Sequence, residues 1–196
     1  MDDNFQYFIL DDLKSKKQWV GWNAIWDDKK DKYKKIPINP NTGHPAQTTD
    51  ESTWDTFDVA VQAVSKYDLT GIGFVFTKNT GIVGIDIDHC RNPQTGKLSD
   101  IASEIIQTIN SYTEISPSGT GIHILAKGIL PPDGKRNPSL GLEMYDNGRY
   151  FTVTGNHIPD TPVIISEAEA AIAKIHEKYI SSSKSGDTSV VNKSPN

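Results

Sequence analysis

Asp86 and Asp88 are the sharpest chemical feature of the chain. They close the apolar run Ile82 to Asp88 (IVGIDID), spaced i and i+2. Side chains alternate along a strand, so both carboxylates project from one face. Two like charges on one face repel, and burying them without a partner is costly. A divalent cation resolves the conflict by accepting both as hard oxygen ligands. Two solvated residues at a strand end fit the same spacing. His89 and Cys90 follow directly, but there is no second cysteine and no His at H-x-x-x-H spacing. Mg²⁺ or Mn²⁺ on carboxylates is therefore expected rather than zinc, with Cys90 a small buried residue at the strand end.

Three further groups bear chemistry. The loop Ser116-Pro117-Ser118-Gly119-Thr120-Gly121 leads into His123. Its glycines let the backbone turn N–H groups toward an anion, its hydroxyls add donors, and a protonated His123 can contact a phosphate. An ordinary Gly/Ser turn between strands is the plainer reading. Glu143 supplies a third carboxylate if the sheet brings its strand beside Asp86, and Arg149 lies six residues on. Asn147-Gly148 between them is a strong hairpin signal. A two-residue turn pairs Glu143 with Thr152. A three-residue turn pairs it with Phe151 and puts it on one face with Arg149. A surface Glu and Arg on a half-exposed hairpin is the alternative. Lys29, Lys30, Lys32, Lys34 and Lys35 put five lysines into seven residues. They suit either a solvated hairpin tip or a phosphate-contacting flap with Tyr33 placed to stack on bases.

The elements that must position these groups can be read in outline. Trp19 to Trp26 is apolar and aromatic and predicts a strand. Gly71 to Thr77 and Ile82 to Asp88 predict two more, joined by a turn at Lys78 to Gly81. Tyr112 to Ile115 and Ile122 to Ala126 flank the Ser/Gly loop as strands. Phe57, Ala60, Val61 and Val64 share one helical face, with Thr53 as a candidate N-cap. Ile101, Ile105 and Ile109 predict a helix after Ser99. Ser166 and Glu169 form a capping box for the last helix. Irregular interleaving with hairpins favours α+β with a mixed or antiparallel sheet over a doubly wound parallel one. No Walker A loop or Gly-x-Gly-x-x-Gly after a strand is present.

Composition bounds the rest. The 196 residues suit one domain, expected over residues 1–180, with a Ser-rich, disordered tail or linker over 181–196. Hydrophobic residues are 36% and charged residues 23%, and mean hydropathy is −0.48. No apolar run is long enough to span a membrane as a helix, so no membrane partner is expected. A single cysteine excludes a disulfide framework and fits a reducing cytoplasm. The net charge of −5 argues against general coating of nucleic acid, so any basic surface must be local.

Taken in order, the motifs resemble the primase-polymerase domain of the archaeo-eukaryotic primase superfamily. The type is that found in phage, plasmid and mobile-element replication proteins. The carrying residues are Asp86-Ile87-Asp88, then Ser116 to His123, then Glu143. KKIPINPNTG, TTDESTW, GIGFVFT, SPSGTGIHI and GLEMYDNGRYFTVTG match in character, from about Trp19 to Gly155. The resemblance implies an RRM-like catalytic core joined to a second α/β subdomain, and template-directed nucleotidyl transfer. Asp86, Asp88 and Glu143 would hold two Mg²⁺ or Mn²⁺ ions, with His123 at the catalytic centre. Ser116, Ser118, Gly119, Gly121 and His123 would cradle the triphosphate, with Arg149 and Lys34 or Lys35 adding charge. Lys29, Lys30, Lys32 and Tyr33 would meet nucleic acid. Implied partners are a single-stranded DNA template, nucleoside triphosphates and a helicase domain or other replication partner. Two departures stand out. Gly121 occupies a position where many members have Ser, and Glu143 one where they often have Asp. A non-catalytic nucleic-acid-binding module and a metal-dependent nuclease are the competing expectations.

Overall fold

Side-chain parity along three strands divides the molecule into a core face and a polar face. The computed structural model describes residues 11–29, 31–132 and 134–181. Lys30 and the tail 182–196 lie outside the described residues, as does the side chain of Lys32. A short helix α1 (Asp11–Lys14) precedes strands β1 (Trp19–Asp27) and β2 (Lys32–Ile38), helix α2 (Phe57–Tyr67) and strands β3 (Gly71–Val75) and β4 (Ile82–Ile87). Helix α3 (Asp100–Ile109) leads to β5 (Thr113–Ile115), β6 (Ile122–Lys127), β7 (Arg136–Asn137), β8 (Leu142–Tyr145), β9 (Tyr150–Val153) and helix α4 (Glu169–His176).

The strands form two antiparallel sheets, ordered β2-β1-β3-β9 and β5-β6-β4-β8-β7. The expected α+β class with antiparallel sheets is the observed one. Val83, Ile85 and Ile87 of β4, Ile122, Ile124 and Ala126 of β6, and Leu142 and Met144 of β8 form one core. Ala102, Ile105 and Ile109 of α3 and Ile172 and Ile175 of α4 pack with them. Strand alternation turns the residues between them to the opposite face. A second core joins the sheets: Trp19, Ile72, Phe74, Phe151 and Val153 of the first meet Ile82, Leu125 and Tyr145 of the second. Edge-to-face ring pairs mark it, with Trp19–Phe74 at 5.3 Å and Phe76–Phe151 at 4.9 Å between centroids.

Several local expectations are corrected. The Asn147-Gly148 turn does not close a hairpin. β8 pairs with β4 and β7, whereas β9 pairs with β3, so the turn carries the chain from one sheet to the other. Neither pairing foreseen for Glu143, with Thr152 or with Phe151, is made. Local turn chemistry names a reversal but not the partner, which the two cores decide. Thr53 does not cap α2. It ends a 3-10 turn, where its hydroxyl donates to the Asp50 carbonyl at 2.7 Å, and Thr56 precedes the helix. Ser166 does not open α4, because its N–H donates to Ser111 Oγ at 2.8 Å and its carbonyl accepts from Lys127 N at 2.9 Å. These bonds hold it alongside β6, and the helix starts at Glu169. Ser99 does cap α3, accepting from Ala102 N at 3.2 Å.

Candidate active site

One row of directly opposed residues crosses all five strands of the second sheet. Glu114 of β5 faces His123 of β6, which faces Asp86 of β4. Asp86 in turn faces Glu143 of β8, which faces Arg136 of β7. Directly opposed residues share a face, with Cβ atoms roughly 5 Å apart. The row therefore concentrates acid, imidazole and guanidinium on the face turned away from α3 and α4. Gly84 sits two residues before Asp86 on that face. A Cβ there would stand 2.5 Å from Phe76 and 2.6 Å from Phe151, so only glycine lets these rings press against the strand beside the carboxylate.

Asp86, His123, Glu143 and Arg149 line one cavity of about 200 Å³, with Lys35, Tyr145, Tyr150, Phe151 and Thr152. Asp86 Oδ1 is buried with no hydrogen-bond partner, as are Tyr150 Oη and Thr152 Oγ1. The cavity thus gathers three unsatisfied polar atoms, each of which costs roughly 1–3 kcal/mol when left unpaired. His123 Nε2 lies 3.9 Å from Asp86 Oδ1, too far for a hydrogen bond. Burial pushes the Asp86 carboxyl up to about 6; the neighbouring His123 pulls it down, while the Asp88 and Glu143 carboxylates push it further up. Burial and the adjacent Glu143 also raise the Tyr145 phenol. Arg149 packs its guanidinium 4.9 Å from the centre of the Tyr145 ring.

The other expected residues are distributed around this cavity. Asp88 is exposed just past β4, its N–H donating to the Gly141 carbonyl at 2.9 Å. Lys35 and Lys34 point to opposite faces of β2. Lys35 reaches the cavity, and Lys34 pairs with Asp27 at 2.8 Å on the other side. Lys35 also borders a neighbouring cleft of about 490 Å³, lined by Trp22, Ala24, Tyr33, Pro117, Ser118 and Val153 among others. Tyr33 and Ser118 belong to that cleft and not to the smaller cavity.

Ser116, Gly119 and Gly121 line neither space. Within the loop, Ser116 N donates to the Gly121 carbonyl at 3.0 Å and Gly119 N to the Ser116 carbonyl at 2.9 Å. Both amides are thereby committed to the turn rather than turned outward. The hydroxyls of Ser116, Ser118 and Thr120 run in a chain at 3.0 Å steps. A Cβ on Gly121 would stand 2.9 Å from the Ile87 carbonyl and 3.0 Å from Ser116 Oγ. The Ser116 hydroxyl thus lies next to the spot that a serine at 121 would fill. Lys29 is on the β1–β2 turn, with its N–H donating to Asp27 Oδ1. Cys90 is buried in the core, as expected, its thiol raised to about 11 by burial.

Four residues of this region escape a reading of types and spacing. Glu114 is 1% exposed and bonds His123 Nδ1 at 3.1 Å. Its place two residues before the Ser/Gly loop, on the strand preceding His123, is the available signal. Tyr150 and Thr152 alternate along β9, but only the sheet crossover brings them to Asp86. Trp26 pairs edge-to-face with Tyr33 at 5.0 Å, and both rings are exposed.

The donor set fits a hard divalent cation in kind. Oxygen ligands are offered by Asp86, Asp88 and Glu143, and one of those oxygens is buried without a partner. Among the described residues, however, no three His, Cys, Asp or Glu side chains are already drawn together as a metal cluster. No helix among them is long and apolar enough to cross a membrane.

No protein-family model matches the chain. Over 142 residues, 70% of its length, it is 40% identical to the DNA Primase-polymerase of Nitratiruptor phage NrS-1. It spans about one fifth of that relative, 19% of its length. The chain is therefore related to a phage DNA primase-polymerase, the type that its own motifs resemble.

Proposed function

We propose that this domain is a template-directed nucleotidyltransferase, a DNA primase/polymerase of phage-type replication. The observation that carries the reading is the row His123–Asp86–Glu143, three opposed residues over a cavity that holds three unsatisfied polar atoms. The similarity to a phage DNA Primase-polymerase supports the same activity.

In this reading Asp86, Asp88 and Glu143 hold one or two Mg²⁺ or Mn²⁺ ions. Bound there, such ions would favour the ionised 3′-hydroxyl and neutralise charge on the leaving pyrophosphate. The chain's own groups do the rest. Lys35 and Arg149 attract the triphosphate into the cavity. His123, with a proton on both ring nitrogens, donates from Nε2 to a phosphate oxygen. The Ser118 hydroxyl and Lys35 extend the anion path into the larger cleft. Tyr150 Oη and Thr152 Oγ1 gain partners when a polar substrate fills the cavity, recovering part of their desolvation cost. The exposed Trp26–Tyr33 pair, with Lys29 on the turn that joins their strands, contacts the single-stranded template. A helicase or other replication partner would act in the same assembly.

Primer extension and de novo priming on single-stranded DNA, with each metal in turn, test the proposal. The expected result is metal-dependent product that Asp86→Ala/Asp88→Ala abolishes. No product from the wild type, or undiminished product from the double variant, overturns it. Degradation of labelled DNA without triphosphate would assign the carboxylates to hydrolysis instead.

A further inference from the structure

Glu114 and Arg136 are the two members of the five-residue row with no part in the proposed chemistry, and Glu114 is the most enclosed of the five, at 1% exposure. We propose that Glu114 is the positioning residue of the site, acting through His123. Only the activity arm of this inference rests on the polymerase reading.

The Glu114 carboxylate is fully engaged by four donors. Oε1 accepts from His123 Nδ1 at 3.1 Å and from Thr154 N at 3.1 Å. Oε2 accepts from Gly155 N at 3.0 Å and from the Tyr112 hydroxyl at 3.1 Å. A carboxylate only accepts, so Nδ1 of His123 carries a proton. Nε2 is then the nitrogen presented to Asp86 and the cavity. The ring cannot rotate without breaking that bond between two almost fully buried partners.

The same carboxylate reaches the opposite wall. Thr154 and Gly155 directly follow β9, and β9 contributes Tyr150, Phe151 and Thr152 to the cavity. The Phe151 ring lies 5.1 Å from the His123 ring. One buried group on the second sheet therefore fixes both the imidazole and the end of a strand in the first. Any movement of Glu114 shifts both walls of the cavity together. A buried polar pair of this kind adds little net stability over an apolar filling. Orientation of the ring is the gain that the geometry offers in exchange.

Two measurements decide this. The first uses wild-type protein labelled with ¹⁵N-histidine. Long-range ¹H–¹⁵N spectra should show a proton on Nδ1 of His123. A neutral ring with bare Nδ1 and protonated Nε2 overturns the proposal, and this arm needs neither a variant nor activity. The second is a cycle of Glu114→Gln and His123→Ala, each checked by thermal unfolding. Glu114→Gln should lower kcat/KM for extension about 10- to 100-fold, the loss typical when the partner that orients a site group is removed. In the His123→Ala background the loss should be at least several-fold smaller, what remains coming through the Thr154 and Gly155 amides. Equal losses in both backgrounds would mean a structural role only and would refute it. If Glu114→Gln does not fold, the wild-type spectrum decides alone. If the wild type transfers no nucleotide, the polymerase reading falls, and the same cycle is read on affinity for dATP with Mn²⁺.

Discussion

Asp86→Asn should make the metal-free protein more stable at neutral pH, which is the reverse of what removing a well-paired carboxylate does. The Asp86 carboxyl has an ordinary value of 3.8 and is pushed up to about 6 by burial, against the pull of His123. Between those two values the folded protein holds a proton that the unfolded chain has released. Stability linked to this group is therefore complete below pH 3.8 and is lost as pH rises through 6. At 1.36 kcal/mol for each pH unit, the gap of about 2 comes to about 3 kcal/mol. That is the cost of the ionised Asp86 carboxylate at pH 8. Its side chain retains 24% exposure, and one oxygen has no partner. Asparagine resembles the protonated form in size and charge, so the variant escapes most of this cost. Urea unfolding in EDTA at pH 5 and pH 8 measures it. The variant should lead by about 1.5 kcal/mol at pH 5, where part of the linked stability is already lost, and by about 2–3 kcal/mol at pH 8. Mn²⁺ should then narrow the gap, because a ligand that binds only the folded wild type at a hundredfold over Kd adds about 2.7 kcal/mol. Equal stabilities at pH 8 in EDTA, or a weaker variant, would refute the reasoning from burial and like charge.

The opposed faces of β2 give a paired contrast. Lys35→Ala should raise KM for the triphosphate several-fold with little change in stability, whereas Lys34→Ala should leave KM unchanged and alter stability by at most about 1 kcal/mol through its pair with Asp27. Steady-state extension kinetics and urea unfolding read the two effects separately. Trp26→Ala and Tyr33→Ala should each weaken single-stranded DNA binding by about 1–3 kcal/mol, the range for loss of one stacked base. Fluorescence anisotropy at two salt concentrations checks this, and the aromatic losses should persist at the higher salt, where lysine contacts fade.

What could be read from the sequence follows from which interactions are local. The parity of β4 is local, so Asp86 facing away from Ile85 and Ile87 was legible from IVGIDID alone. The helical face of Ile105 and Ile109 was legible for the same reason, as was the cap at Ser99. Pairing between strands is not local. GLEMYDNGRYFTVTG has every mark of a hairpin, and the turn itself forms with Gly148 at a φ of +64°. Yet Met144 is drawn into the core under β4 and Phe151 into the core between the sheets, so the two arms separate. Lys34 and Lys35 show the same limit. Alternation sends them to opposite faces, but which face meets the site depends on how β2 lies against the second sheet.

Glu114 marks the deepest limit. An isolated acidic residue in Tyr112 to Ile115 reads as a surface position, because a buried carboxylate is costly until its donors are in place. Those donors are His123, from the adjacent strand, and the amides of Thr154 and Gly155, which reach it only after the chain has crossed into the first sheet and returned. A residue whose burial depends on groups about 40 positions away carries no local sign of its role. By the same logic, the acidic net charge gave no guide to the site. The charges that matter are the few that the sheet sets in one row, where three carboxylates, one imidazole and one guanidinium stand directly opposed across neighbouring strands.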